Sequence, residues 1–287
     1  MHYADYKTIL SPQNGMNLYR GCTHGCIYCD SRSKCYQMDH DFEDIEVKRN
    51  APQILEEQLR RKRKKCMIVT GAMCDPYLHL EDELKITREC LKVIERYGFG
   101  VSVLTKSDRI MRDMDLLTAI NRKARCVVQV TLTTYDEELC RIIEPNVSTT
   151  AERAVVLEAM RGAGIPTIVW LCPILPFIND TEKNLRGILD ICVKAKVRGI
   201  LCFGFGVTLR EGDREYFYER LDEHFRGMKE RYIERFGNSY ECHSPNSAGL
   251  MRIFTEECKR HGILYKTGDV LAYMKDLAPG TRQTTLF

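Results

Sequence analysis

The sequence predicts an α/β fold in which a curved parallel sheet forms a partial (βα)6 TIM-type barrel, followed by a C-terminal helical extension. Six short apolar or β-branched runs alternate with helix-length segments rich in Leu, Glu, Lys and Arg. The starts of these runs lie roughly 25 to 50 residues apart, the length of a strand, a crossover helix and its loops. Right-handed crossovers make such a series a parallel sheet, and eight units would normally need about 250 residues, so we expect an incomplete barrel.

The elements follow one another in a regular order. The predicted strands are residues 16–21, 66–71, 100–105, 126–132, 167–175 and 199–205. Polar alternation within them is weak, which is typical of strands buried on both faces. The predicted helices are residues 52–65, 84–97, 109–121, 150–163 and 181–195. Pro52 lies where the first helix should begin, and Gly98, Gly164 and Gly199 lie where helices should end.

The alternation of strands and helices stops near residue 206. Residues 215–236 are expected to form one long amphipathic helix and residues 247–262 another, and no strand-rich second core is visible. We therefore predict a core at residues 1–206 and a helical cap at residues 207–287.

Composition narrows the class of protein. Hydrophobic residues make up 44% of the 287 residues and charged residues 29%, as in ordinary globular proteins. Forty-three basic and forty acidic residues give a net charge of +3, too near balance to indicate nucleic-acid binding by charge alone. No apolar run is long enough for a membrane span, and the first residues have no signal-peptide core. Fourteen cysteines without an export signal favour the reducing cytoplasm, where cysteines act as buried fillers, metal ligands or reactive thiols.

Three of these cysteines form a compact motif directly after the first predicted strand. Cys22, Cys26 and Cys29 have C-x3-C-x2-C spacing on a loop that Gly21 and Gly25 allow to curl. Three thiolates can hold an iron–sulfur cluster and leave one iron open to another ligand. The alternative is a structural zinc site with Cys35 or His24 as its fourth ligand. Because no second C-x-x-C pair occurs, the motif favours the iron–sulfur cluster.

This motif, placed after the first strand of a (βα)6 series, resembles the signature of the radical SAM superfamily. The resemblance implies a [4Fe-4S] cluster on Cys22, Cys26 and Cys29 whose open iron is chelated by S-adenosylmethionine. One electron, from a donor such as flavodoxin or ferredoxin, would cleave S-adenosylmethionine to a 5′-deoxyadenosyl radical that abstracts a substrate hydrogen. Tyr28 matches the aromatic residue that many such enzymes place beside the adenine.

Within the superfamily, residues 16–206 resemble spore photoproduct lyase and its DNA repair photolyase-like relatives. The matching segments are NLYRGCTHGCIYC, GAMCDPY, LTKS, IEPNVSTTAERAVVLEAMRGAGIP and PILP. The resemblance favours a nucleic-acid substrate. The alternatives are a radical reaction on a peptide or small metabolite, or a non-catalytic zinc or iron–sulfur binding module. The lyase reaction itself is not assigned, because Asp30 stands where the family has a second tyrosine.

The resemblance also implies roles for five further residues. Gly71 and Asp75 are the nearest substitutes for the glycine-glycine-acid motif that binds the methionine amine, which is missing here. Lys106 would approach S-adenosylmethionine, although an ordinary exposed lysine is the alternative. Thr131 would place a hydroxyl near the cofactor. Cys74 is the candidate hydrogen donor to the product radical.

Other features depend on the residues themselves. Arg153 would lie in the first turn of a helix, where the helix dipole disfavours a cation, so it is a candidate cofactor-binding residue that pairs a carboxylate. Glu144 either holds its loop or receives an arginine. The basic run at residues 60–65 is either a solvated helix end or a phosphate-contacting patch. The cysteines in predicted strands are expected to be small buried hydrophobes, and the rest lack ligand spacing, so a second cluster is not expected.

Overall fold

The computed structural model describes residues 1–277. Its strands are β1 (His2–Ala4), β2 (Gly15–Met16), β3 (Tyr19–Arg20), β4 (Glu46–Lys48), β5 (Met67–Thr70), β6 (Gly100–Thr105), β7 (Cys126–Thr131), β8 (Thr167–Trp170), β9 (Gly199–Leu201), β10 (Gly206–Thr208) and β11 (Glu241–His243). Its helices are α1 (Ala51–Arg61), α2 (Glu81–Leu84), α3 (Ile86–Arg96), α4 (Met114–Lys123), α5 (Glu137–Ile143), α6 (Thr150–Gly162), α7 (Glu182–Lys194), α8 (Asp213–His224), α9 (Met228–Phe236), α10 (Ser247–His261) and α11 (Thr267–Lys275).

The main sheet has the order β2-β5-β6-β7-β8-β9, and every neighbouring pair is parallel. Within residues 1–277 the two outer strands, β2 and β9, do not pair with each other, so the barrel is open. This confirms the predicted α/β partial barrel. Because all carboxyl ends of parallel strands meet at one edge, the loops that follow these strands share one face of the molecule.

Packing explains why the apolar runs became central strands. Val101 and Val103 of β6 and Val128 and Val130 of β7 are completely or almost completely buried. Helices α1, α3, α4, α6 and α7 connect successive strands and pack their apolar faces on the sheet. Helix α6 begins at a capping box in which Thr149 and Glu152 satisfy each other's backbone N–H groups.

The first predicted strand, residues 16–21, is wrong as a single element. Met16 ends β2 in the barrel, whereas Tyr19 and Arg20 form β3 in a separate three-stranded sheet of order β1-β4-β3. Where the chain changes sheets, the Leu18 carbonyl accepts a hydrogen bond from the backbone N–H of Lys48 (3.1 Å). This small sheet leads directly into the cysteine motif.

Two other predicted strands end earlier than expected. Strand β8 ends at Trp170 and β9 at Leu201, and the residues after them turn toward the carboxyl edge of the sheet. Pro173 lacks a backbone N–H, and Gly204 adopts a positive φ of 110°, so neither residue suits a regular parallel strand.

The single long helix predicted at residues 215–236 is also wrong. Gly227 adopts a left-handed φ of 76° and separates α8 from α9. The helix predicted from residue 247 is confirmed as α10. Strands β10 and β11 form an antiparallel pair that local periodicity did not reveal. The division of the chain at residue 206 stays a prediction. No helix in the described part of the chain is both long and apolar enough to cross a membrane.

Candidate active site

A cavity of about 510 Å³ opens at the carboxyl ends of the barrel strands. Its walls come from the loop after β3, from the ends of β5, β6, β7 and β8, and from the β9–β10 connection. The predicted site residues that line it are Cys22, Cys26, Tyr28, Cys29, Gly71, Cys74, Asp75, Lys106 and Thr131. The fold therefore brings together residues from four separate parts of the sequence.

The cysteine loop is held in place by main-chain hydrogen bonds at both ends. The Cys22 N–H donates to the Phe42 carbonyl (2.9 Å), and the Ile27 N–H donates to the Ile143 carbonyl (3.0 Å). Gly21 has a φ of 85°, and a Cβ there would lie 2.4 Å from the Phe42 oxygen. The tight turn therefore requires glycine immediately before the first cysteine of the motif.

The three thiols suit a cluster better than a single zinc ion. Cys22 and Cys26 are 9% and 7% exposed, and Cys29 also faces the cavity. A zinc ion with Zn–S bonds near 2.3 Å would hold its sulfurs about 3.8 Å apart. Within residues 1–277, the three Sγ atoms do not form a group lying within 4.8 Å of one another. Two buried cysteines and the partly exposed Cys29 face one cavity with their sulfurs spread apart, an arrangement that fits the larger iron–sulfur cluster.

Neither predicted fourth zinc ligand completes a zinc site. Cys35 is exposed, lies outside the cavity, and accepts a hydrogen bond from Arg210 Nη1 (3.2 Å). His24 lines the cavity, but in the described part of the chain it belongs to no group of three ligand atoms lying within 4.8 Å of one another.

Asp75 organises the exits of two adjacent strands. Its Oδ1 accepts hydrogen bonds from the Thr105 hydroxyl (2.7 Å) and the Tyr77 N–H (2.9 Å). Its Oδ2 accepts the backbone N–H of Lys106 (2.7 Å). One buried carboxylate thus fixes the end of β6, from which the Lys106 side chain enters the cavity.

Lys106 supplies a positive charge to the cavity. Its Nζ lies 5.8 Å from the centre of the Tyr28 ring. Burial lowers the pKa of Lys106. The negative charges of Cys26 and Glu144 raise it by more, so the pKa of Lys106 lies above its usual value. The ammonium group therefore stays protonated and can pair with an anionic ligand.

Arg153 is the one predicted cofactor residue that lies outside the lining of the cavity. It is 1% exposed and pairs with the Glu144 carboxylate, and it donates to the carbonyls of Ser148 and Thr131 (2.7 Å each). The Tyr28 hydroxyl donates to the other oxygen of Glu144. Glu144 was predicted either to hold its loop or to receive an arginine, and the structure shows that it receives Arg153. Arg153 and Glu144 together therefore join the cysteine loop to the end of β7.

Cys74 lies beside the cluster motif. Its Sγ donates to the carbonyl of Gly21 (2.8 Å), the residue directly before Cys22. Gly71 lies where β5 meets β6, and a Cβ there would lie 2.0 Å from the Leu104 oxygen. Gly71 is therefore required where β5 passes close to β6, and both residues line the cavity.

Sequence reasoning missed the aromatic residues at the mouth. Trp170 and Phe203 both line the cavity, with ring centres 5.9 Å apart, and Phe203 is 60% exposed. The Trp170 Nε1–H donates to Gln129 Oε1 (2.6 Å) and so fixes the indole. The run GILCFGF suggested a strand interior, although its two glycines could have indicated a loop. Cys172 was expected to be a buried filler, but it is partly exposed and lines the cavity.

The basic run at residues 60–65 lies at the opposite edge of the sheet. Its first two residues end α1 and the other four lead to the start of β5, whereas the cavity lies beyond the carboxyl end of β5. Lys65 donates to the Tyr97 carbonyl (2.6 Å) and lies over the Phe99 ring. The predicted phosphate patch therefore does not border the cavity.

Comparison with known proteins is consistent with this geometry. The family model of the Radical SAM superfamily matches residues 16–189. An uncharacterized protein of Mycobacterium tuberculosis is 29% identical over 77% of this chain, which spans 66% of that protein's length. An uncharacterized protein of Methanocaldococcus jannaschii is 31% identical over 58% of this chain and 62% of its own length.

Among solved structures, a double mutant of spore photoproduct lyase superposes with a TM-score of 0.58 and 14% identity. The superposition covers 87% of this chain and 74% of that one. That structure contains bound AdoMet and dinucleoside spore photoproduct. At this level of identity the likeness concerns the fold.

Proposed function

The chain belongs to the radical SAM superfamily, and from this premise we propose that Cys22, Cys26 and Cys29 hold a [4Fe-4S] cluster beneath the cavity. When bound and reduced, the cluster supplies the electron that cleaves S-adenosylmethionine to the 5′-deoxyadenosyl radical. The observation that carries the proposal is that the three cysteines and six further predicted residues line one cavity. A low-potential donor such as flavodoxin or ferredoxin would deliver the electron.

The cavity residues bind and orient the cofactor. Lys106 offers its ammonium to the carboxylate of S-adenosylmethionine, and Tyr28 offers its ring to the adenine. Asp75 positions Lys106 through the backbone N–H of that residue. Gly71 gives a ligand access to the backbone at the end of β5, and Thr131 supplies a hydroxyl at the end of β7. Arg153 acts indirectly, since it holds Glu144, which in turn holds Tyr28.

Cys74 is our candidate hydrogen donor to the product radical. Its hydrogen bond to the carbonyl of Gly21, next to Cys22 in the chain, supports this role. Cys74→Ser should leave the cleavage of S-adenosylmethionine intact but prevent the return of a hydrogen atom to the product. Unchanged product formation with this variant would remove Cys74 from the mechanism.

The favoured substrate class is a nucleic acid. Support comes from Trp170 and Phe203, which present aromatic surface at the cavity mouth where an unstacked base could bind. The structurally similar lyase binds a dinucleoside photoproduct, which points in the same direction. A peptide or small metabolite is the second candidate, since the volume of about 510 Å³ also suits a small ligand beside the cofactor.

Anaerobic reconstitution tests the radical chemistry. Protein loaded with iron and sulfide is given S-adenosylmethionine and a strong reductant, and 5′-deoxyadenosine is quantified. We expect formation by the wild type and by Cys66→Ala, whose thiol lies outside the cavity, and loss with Cys26→Ala. A loaded cluster without cleavage would argue for a non-catalytic iron–sulfur module, and zinc without iron would argue for the zinc module.

The substrate class is tested by binding of a fluorescent single-stranded oligonucleotide to the reconstituted protein. We expect salt-sensitive binding, because phosphate contacts release counterions. Binding should persist when residues 60–65 are neutralised, since that run lies away from the cavity. The absence of binding at low salt would overturn the nucleic-acid proposal and favour the peptide or metabolite.

A further inference from the structure

Three side chains outside the cavity form a second cluster of metal-ligating groups. His2 of β1, Glu46 of β4 and His40 in the segment before β4 each offer one ligand atom, and these atoms lie within 4.8 Å of one another. We propose that His2, His40 and Glu46 bind one divalent transition-metal ion, with Zn²⁺ the best match. This site is independent of the proposed radical chemistry.

Strand pairing brings the first two ligands together. Strand β1 pairs with β4 in parallel, and His2 and Glu46 are register partners. The His2 Nε2 lies 3.8 Å from Glu46 Oε2, too far for a direct hydrogen bond and close enough for both atoms to bind one ion. Glu46 is only 9% exposed, and its other oxygen accepts the Tyr6 hydroxyl, which fixes the carboxylate.

Hydrogen bonds to Nδ1 leave the Nε2 atom of each histidine available as a ligand. His2 Nδ1 lies 2.9 Å from Asp44 Oδ2, and His40 Nδ1 lies 3.0 Å from the Asp41 carbonyl. A carbonyl only accepts, so His40 Nδ1 carries a proton, and the neutral imidazole then has its lone pair on Nε2. Metal-binding histidines in proteins are oriented by such carboxylate and carbonyl partners.

His40 provides the strongest observation. Its Nε2 atom is buried and has no hydrogen-bond partner within residues 1–277. A buried acceptor without a partner carries a desolvation cost, which metal coordination would remove. A protonated His2 that merely bridges Asp44 and Glu46 would explain the His2 contacts but would leave His40 Nε2 unpaired.

The donor set selects the kind of metal. Two imidazoles and one carboxylate suit Zn²⁺ and related transition metals, whereas Mg²⁺ and Ca²⁺ prefer oxygen ligands. Three protein ligands leave one tetrahedral position for water. The carboxylates of Asp44 and Glu46 also provide negative charge to balance the ion.

The site would stabilise the segment that supports the cysteine loop. His40 and Glu46 flank Phe42, whose carbonyl accepts the backbone N–H of Cys22. A metal ion would tie this segment to the N-terminal strand β1. We therefore expect the bound ion to raise thermal stability and to favour retention of the cluster.

Zinc binding to reconstituted protein that begins at Met1 tests the proposal, because iron and sulfide then occupy the cysteine motif. We expect one Zn²⁺ per chain after desalting, a zinc absorption-edge spectrum with nitrogen and oxygen neighbours only, and a raised Tm. His40→Gln and Glu46→Gln should each weaken the Zn²⁺ affinity more than tenfold. The exposed His224→Gln is the control and should bind as the wild type does.

The zinc spectrum of the wild-type protein tests the proposal even if a variant folds poorly. Sulfur neighbours around the zinc would overturn the proposal by assigning the ion to cysteines. Equal zinc content in the wild type, His40→Gln and Glu46→Gln would also overturn it, as would a wild type that binds no Zn²⁺.

Discussion

Arg153 and Glu144 form an ion pair in which both side chains are at most 1% exposed. Burial alone would raise the pKa of Glu144, but Arg153 and Lys106 lower it below its usual value. The pair therefore stays charged, and its remaining contacts reach Tyr28 in the cysteine loop and the end of β7. Arg153, a predicted cofactor-binding residue, thus supports the wall of the cavity through Glu144 and the end of β7.

Removing one partner of this pair should destabilise the protein strongly. Arg153→Met leaves the Glu144 charge buried, so the free energy of unfolding should fall by about 3–5 kcal/mol. Urea denaturation of the apoprotein measures the loss. The control is Arg161→Ala, a change of an exposed residue at the end of α6. It should change the free energy of unfolding by no more than about 0.5 kcal/mol. Equal stability of Arg153→Met and wild type would mean that the pair contributes nothing.

Phe203 should contribute to substrate binding without affecting the cofactor. Loss of a stacked base from Phe203→Ala costs about 1–3 kcal/mol, or roughly 5- to 150-fold in the Kd for a single-stranded oligonucleotide. Fluorescence anisotropy measures the Kd, and 5′-deoxyadenosine formation without substrate should stay unchanged. Tyr3→Ala removes an exposed aromatic side chain from β1, outside the cavity, and is the matched control. Equal affinities of the two variants would remove Phe203 from the binding surface.

The sequence predicts best those strands that have the same environment on both faces and along their whole length. Strands β6 and β7 lie inside the sheet, so their largely apolar runs match the burial of both faces. The cysteine motif is equally visible in the sequence, because its three residues lie close together in the chain. A sequence pattern therefore predicts a segment well when the residues of that segment determine its structure.

The remaining features depend on contacts between distant residues. Strand β10 pairs with β11, and the two segments are separated by α8 and α9, so neither segment alone indicates a strand. Arg153 could be recognised as unusual in the first turn of α6, but its partner is known only from the fold. The position of Phe203 depends on where β9 ends. The apolar run at residues 199–205 does not indicate that the strand ends at Leu201.

Asp213 should give the protein a specific dependence of stability on pH. Burial raises the pKa of Asp213 to about 6, although the backbone N–H of Arg210 donates to its carboxylate and lowers it. The folded state therefore holds a proton that the unfolded state has released between about pH 4 and pH 6. The contribution of Asp213 to stability consequently falls as pH rises through this window.

Asp213→Asn removes this titration and should behave as a protonated Asp213 at every pH. The free energy of unfolding of the variant, minus that of the wild type, should rise by about 1–2 kcal/mol between pH 4.5 and pH 7. Chemical denaturation at both pH values measures the difference, and taking the difference cancels other titrating groups. A difference that does not change with pH would show that Asp213 has an ordinary pKa in the folded protein.

Gly71 should tolerate no side chain, and Gly98 provides the comparison. Both have positive φ angles, so alanine costs about 1–2 kcal/mol of conformational energy at either position. A Cβ at Gly98 meets no atom within 4 Å, whereas at Gly71 it would lie 2.0 Å from the Leu104 oxygen. Gly71→Ala should therefore lose about 1–3 kcal/mol more than Gly98→Ala, because the two strands must separate. Urea denaturation of both variants tests this difference, and equal losses would show that the end of β5 can move away from β6 at no cost.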